Sequence, residues 1–168
     1  MSRIRYAAAS IAAYATIMAV GASAAAAKSV TLHFFSKQVY SRISNANGHP
    51  LPPNSGLAVG DRISTASNDY AGNYKHHADQ PTASDHTVCT FTSSNRSTNS
   101  FLCDDTIAIG GSMILGDDSK FNFPSKAPTT FKITGGTGTY RHAHGTVVAK
   151  TVTFSAPPGT DLTITITS

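Results

Sequence analysis

The stretch Asp85-His86-Thr87-Val88-Cys89-Thr90-Phe91-Thr92, then Ser93-Ser94-Asn95-Arg96-Ser97-Thr98-Asn99, then Ser100-Phe101-Leu102-Cys103-Asp104-Asp105-Thr106-Ile107-Ala108-Ile109, decides how this chain folds. Two runs rich in Thr, Phe, Val and Ile flank a polar run of turn formers, which is the pattern of an antiparallel hairpin. Folded about that turn, Thr92 faces Ser100, Phe91 faces Phe101 and Cys89 faces Cys103, so the register closes without adjustment. These are the only two cysteines of the chain. Outside a reducing cytosol a facing pair of this kind forms a disulfide, worth about 3 kcal/mol for a loop of this length.

The same rhythm extends in both directions. Residues 30–40, 61–70, 111–116, 129–134, 146–154 and 161–167 read as further strands, the last alternating cleanly with Leu162, Ile164 and Ile166 on one face. Pro50, Pro52 and Pro53 mark a long rim loop over residues 41–60, and His76 and His77 fall in a polar excursion over residues 71–84. Composition agrees: all nine acidic residues are Asp, and Ser and Thr number 20 and 21, so good helix formers are scarce. With 168 residues there is room for one domain with a full core. About eight short antiparallel strands give an all-β fold, either a barrel or a sandwich.

The N-terminus carries Arg3 and Arg5, then an apolar Ala-rich stretch from Tyr6 to Val20, then small residues through Ala27. This is the layout of a cleavable signal peptide over residues 1–27, leaving residues 28–168 as the mature domain and placing the protein in a secreted or periplasmic compartment. The apolar run is too short to span a bilayer. Without Arg3 and Arg5, eleven cations face nine carboxylates, and no basic cluster is present, so nucleic acid is not an expected partner.

The run Ile133-Thr134-Gly135-Gly136-Thr137-Gly138-Thr139-Tyr140-Arg141-His142-Ala143-His144-Gly145 resembles the glycine-rich turn of the allene oxide cyclase and dirigent barrel families. Leu32-His33-Phe34-Phe35 is similar to the opening strand of the cyclases, Gly60-Asp61 to the start of their second strand, and Cys89 to a cysteine of their barrel. The resemblance implies a calycin-like, eight-stranded antiparallel β-barrel around an apolar cavity, acting without a cofactor, and a homotrimer. In plain physical terms Gly135, Gly136 and Gly138 supply positive φ at a tight hairpin. Aligned with the cyclases, Ser36 stands where they carry a catalytic Glu and Gln38 where they carry an Asn. Conversion of a fatty-acid epoxide is therefore not expected, because Ser36 cannot supply the charge.

Strand parity selects the interior. If Ser36 and Gln38 point inward, so do Val30, Leu32, Phe34 and Tyr40; if Cys89 does, so do Thr87 and Phe91, with Phe101, Cys103 and Asp105 opposite. The candidate site is thus Asp105, Gln38 and Ser36 for chemistry and Leu32, Phe34, Tyr40, Phe91 and Phe101 for an apolar ligand. A bulge between Cys103 and Ile107 would reverse the assignment of Asp105. The seven histidines have no known metal spacing, and no metal is expected. Three functions fit: a barrel that steers a cyclisation or coupling by orientation, a lipocalin-like binding barrel without catalysis, and a closed secreted domain that contacts protein or carbohydrate through its loops.

Overall fold

The structure is a computed structural model and describes residues 29–52, 55–95, 98–123, 127–154 and 157–167. The signal-peptide segment lies outside the described residues. The strands are β1 (Ser29–Ser44), β2 (Arg62–Asn73), β3 (His76–His77), β4 (Ala83–Asn95), β5 (Thr98–Ile109), β6 (Ser112–Phe123), β7 (Thr129–Gly136), β8 (His144–Thr153) and β9 (Gly159–Thr167). They run in the order β1-β9-β8-β7-β6-β5-β4-β2-β3, and β1 also pairs with β2. That last pairing closes an eight-stranded antiparallel barrel and leaves the dipeptide β3 as a flap on β2. Among the described residues no helix is long and apolar enough to cross a membrane.

Alternation builds the barrel wall. Phe101, Cys103, Asp105 and Ile107 of β5 are buried in turn, as are Leu162, Ile164 and Ile166 of β9. Along the wall opposite β2, the core is Ile114, Phe131, Ile133, Val147 and Ile164. Each such side chain contributes roughly 1.5–3 kcal/mol by leaving water.

Two bulges displace the register expected from the sequence. In the β4–β5 hairpin Cys89 faces Cys103 and Phe91 faces Phe101 as expected, but Ser93, not Thr92, faces Ser100. Thr92 is the extra residue, and its hydroxyl donates to the Ser100 carbonyl at 3.0 Å. On β1 the ladder slips between Gln38 and Tyr40, so Tyr40 pairs with Ala66 and Ser41 takes the inward place opposite Thr65. Tyr40 is consequently 46% exposed on the outer face and lines no cavity. An inserted residue flips the face of everything after it.

The glycine-rich turn also works differently from the expectation. Of Gly135, Gly136 and Gly138 only Gly138 has a positive φ, +54°; Gly136 is needed because a Cβ there would clash with the Met113 carbonyl oxygen. Thr137 N–H donates to that carbonyl at 2.8 Å, and Met113 N–H donates back to Thr137 Oγ1 at 3.0 Å. The motif therefore pins the β7–β8 connection onto the start of β6.

Phe35, next to Phe34 but facing outward, is buried outside the barrel. Its ring lies 4.9 Å from that of His77 and 5.5 Å from that of Tyr74, and Tyr74 N–H donates to Asp161 at 2.7 Å. The polar excursion that holds β3 thus folds back as a cover over β1.

Candidate functional site

The interior holds more carboxyl groups than the sequence suggested. No register shift falls between Cys103 and Ile107 on the β4 side, so Asp105 points inward and is 7% exposed. Asp69, from β2, is 0% exposed. Asp85, from β4, shares the inward parity of Thr87 and Cys89 and is half-buried.

These groups stand at one level. Asp69 pairs directly with Ser36; Asp85 lies two residues beyond Ala83, the partner of Asp69; Asp105 lies two residues before Ile107, the partner of Asp85. Tilted strands close a barrel with a stagger of this size and direction, so the diagonal Ser36–Asp69–Asp85–Asp105 runs as a belt around half of the interior. Ser67, between Gln38 and Asp85 in the ladder, belongs to the same wall.

Ser36 Oγ donates to Asp85 Oδ2 at 2.6 Å. The two residues sit on β1 and β4 with β2 between them, so this bond crosses the interior over Asp69 and roofs it. Neither oxygen of Asp69 has a hydrogen-bond donor. An unpaired buried carboxylate is costly. Burial first, then the charge of Asp85 and, more weakly, of Asp105, push Asp69 up to about 8, with the nearby Ser36 hydroxyl opposing. At neutral pH Asp69 keeps its proton, which makes it a donor beside Asp85.

Asp105 differs in kind. Thr87 Oγ1 donates to its Oδ1 at 2.7 Å. Burial pushes Asp105 up to about 6, Thr87 opposes the shift, and the charge of Asp85 adds to it. At pH 7 Asp105 is mostly ionised while Asp69 is mostly protonated. Pairs of carboxyls pushed apart in this way are how acid and base roles are divided at one pH.

Among the described side chains the facing half of the wall is apolar. Gly116, buried between β5 and β7, carries no side chain, and a Cβ there would be in ordinary contact with Asp105 Cβ at 3.6 Å and with Phe131 Cβ and the Lys132 carbonyl oxygen at 3.7 Å. Phe34 and Leu162, 5% and 7% exposed, belong to the same interior. At the other end Phe91 and Phe101 pack against each other with centroids 5.3 Å apart and ring planes tilted by 55°, and both are almost fully buried, so they plug the barrel there. Leu32 and Gln38 are inward and half-buried. The Cys89–Cys103 disulfide is present and tethers the wall beside this belt.

Asp85 was within reach of the parity rule, two residues before Thr87. Asp69 was not, because β2 is small and polar on both faces and carries no period that picks the inner one. A separate pocket of about 280 Å³, lined by residues 138–143 and Ile166, lies at the barrel end where the glycine-rich turn folds over.

No family model matches the sequence, and no curated protein matches it. Solved structures do share the fold. A pyocyanin demethylase is 21% identical with a TM-score of 0.60, over 80% of this chain and 99% of that one. A pterocarpan synthase dirigent protein is 17% identical with a TM-score of 0.64, over 83% of this chain and 84% of that one. An exo-specific intermolecular Diels-Alderase is 11% identical with a TM-score of 0.61, over 84% and 98%. At these identities the likeness is one of fold: the chain has the antiparallel barrel that dirigent proteins have.

Proposed function

We propose that this protein is an exported barrel that binds a small, largely apolar molecule inside and steers its cyclisation or coupling by acid–base chemistry without a cofactor. The observation that carries this reading is the interior belt, in which one carboxyl is kept protonated and another mostly ionised at neutral pH. In this reading Asp105 accepts a proton from the bound molecule, and the Asp69–Asp85 pair returns one, with Ser36 holding Asp85 in place. Phe131, Phe34 and Leu162 supply the apolar contact that orients the substrate. The Cys89–Cys103 disulfide supports export, since such bonds persist in oxidising compartments. The solved barrels of a pterocarpan synthase dirigent protein and of an intermolecular Diels-Alderase, which share this fold, support the reading.

The test is native mass spectrometry of protein purified from its own host, with wild type beside Gly116→Leu. A co-purifying small molecule present in wild type and absent from the folded Gly116→Leu variant supports an interior site. Asp105→Asn then separates chemistry from carriage: retained ligand with lost conversion supports catalysis, and retained ligand with nothing converted by wild type leaves a binding barrel. A folded wild type that carries and converts nothing, from host extract or from a panel of unsaturated phenols and polyenes, overturns the proposal.

A further inference from the structure

We propose that the pocket under the glycine-rich turn is a second ligand site, which takes a small apolar molecule bearing one carboxylate. It is independent of whatever the barrel interior accepts.

The pocket holds about 280 Å³ and opens to solvent on one side, at the small end of the roughly 300–1,000 Å³ usual for ligand sites. Ala143 and Ile166, 3% and 7% exposed, form an apolar floor with the half-buried Tyr140. Ile164, two residues nearer the carboxyl belt on the same face of β9, is wholly buried and belongs to the core with Ile133 and Val147. That packed layer sets the pocket apart from Asp69, Asp85 and Asp105.

The lip of the pocket is cationic. Arg141 and His142 line it and are exposed, and among the described residues neither side chain has a hydrogen-bond or ion-pair partner. Residues 133–145 carry Arg141, His142 and His144 and no acidic side chain. An uncommitted guanidinium presents a carboxylate with two parallel N–H donors, a charge-assisted contact stronger than a neutral one. A single guanidinium above an apolar floor matches one carboxylate on an apolar body better than it matches a polyanion.

The turn is also held in shape before any ligand arrives. Thr139 N–H donates to Ser112 Oγ at 3.1 Å, Tyr140 N–H to the Thr137 carbonyl at 2.9 Å and Ala143 N–H to the Tyr140 carbonyl at 2.9 Å. Gly138 sits at φ +54°, where a Cβ would clash with Ser112 Oγ, so only glycine lets the turn lie this close to β6. A preformed pocket spares binding the cost of ordering a loop.

The test is a nitrogen-15 amide magnetic resonance titration of the purified protein at pH 7 with 2-naphthoate and, in parallel, with 2-naphthamide, its neutral analogue. The expected result is movement of the signals of residues 138–143 and Ile166, with the carboxylate binding at least about tenfold tighter than the amide. In Arg141→Gln, at an exposed position, that preference should fall to about twofold or less, and Thr139→Phe, which fills the pocket, should weaken both probes. Naphthamide binding as tightly as naphthoate, or a preference unchanged in Arg141→Gln, overturns the proposal. Signals that move only at interior residues such as Phe34 and Leu162, or folded wild type that binds neither probe up to about 1 mM, overturn it as well.

Discussion

Replacing Asp69 by Asn should remove most of the loss of stability that this protein shows as pH rises from 5 to 8. The folded state holds the Asp69 proton up to about 8, whereas the unfolded chain releases it near the ordinary 3.8. Between those values the native state binds more protons than the unfolded one, so stability is greatest at acid pH and falls as pH rises. One proton corresponds to about 1.4 kcal/mol per pH unit. From pH 5 to pH 8 the loss attributable to Asp69 is about 4 kcal/mol, a large share of the ~5–15 kcal/mol that holds a domain folded. Asp105 adds a decline of the same sign that ends near its own value of about 6. Asn is neutral throughout and fits the same space. Asp69→Asn is therefore expected to exceed wild type by about 2 kcal/mol at pH 5, where the unfolded chain has already released its proton, and by about 5 to 6 kcal/mol at pH 8 to 9. Urea midpoints measured at unit intervals from pH 4 to 9 read this directly. A wild-type midpoint that stays level or rises from pH 5 to 8, or a variant that declines in parallel with it, would refute the reasoning.

Other outcomes follow from the same structure. Ser36→Ala removes the hydroxyl that serves Asp85 and that holds Asp69 down, so the pH at which the decline levels off should move upward. Cys89→Ala with Cys103→Ala should lower Tm by roughly 6 to 15 °C, for a loss of about 3 kcal/mol; an unchanged melt would mean that the bridge contributes nothing. Gly136→Ala drives a methyl into the Met113 carbonyl oxygen, so a loss of about 2 kcal/mol or more is expected in the same melts. Tyr40→Ala, on the outer face, should change stability by no more than about 0.5 kcal/mol and leave probe binding intact.

How much of this was legible in the sequence depended on whether a residue sat in a stretch with a readable period. The hairpin about Cys89 and Cys103 was readable because apolar residues and cysteines recur at matching distances from the turn, and it fixed the inward face of β5 and hence Asp105. Tyr40 was misassigned because Gln38-Val39-Tyr40 alternates smoothly and nothing marks the bulge; the closing contact between β1 and β2 imposes it. Thr92 failed for a related reason, since its hydroxyl takes the Ser100 carbonyl and frees it from the ladder. Asp69 sits in Ser67-Asn68-Asp69-Tyr70, where neither face is apolar, and only the three-dimensional closure reveals that it is the most buried carboxyl. Phe91 and Phe101 were placed on the correct face, yet their tilted contact with each other makes them a plug at one end.

A carboxyl inside the barrel, Asp69, holds its proton at neutral pH. Carbon-13 nuclear magnetic resonance of side-chain carboxyls in aspartate-labelled protein, titrated from pH 3 to 10, tests it most directly. One Asp signal is expected to titrate near 8 and to vanish in Asp69→Asn, and a second, lost in Asp105→Asn, to titrate near 6. A folded protein in which every aspartate titrates below about 5 would contradict the account.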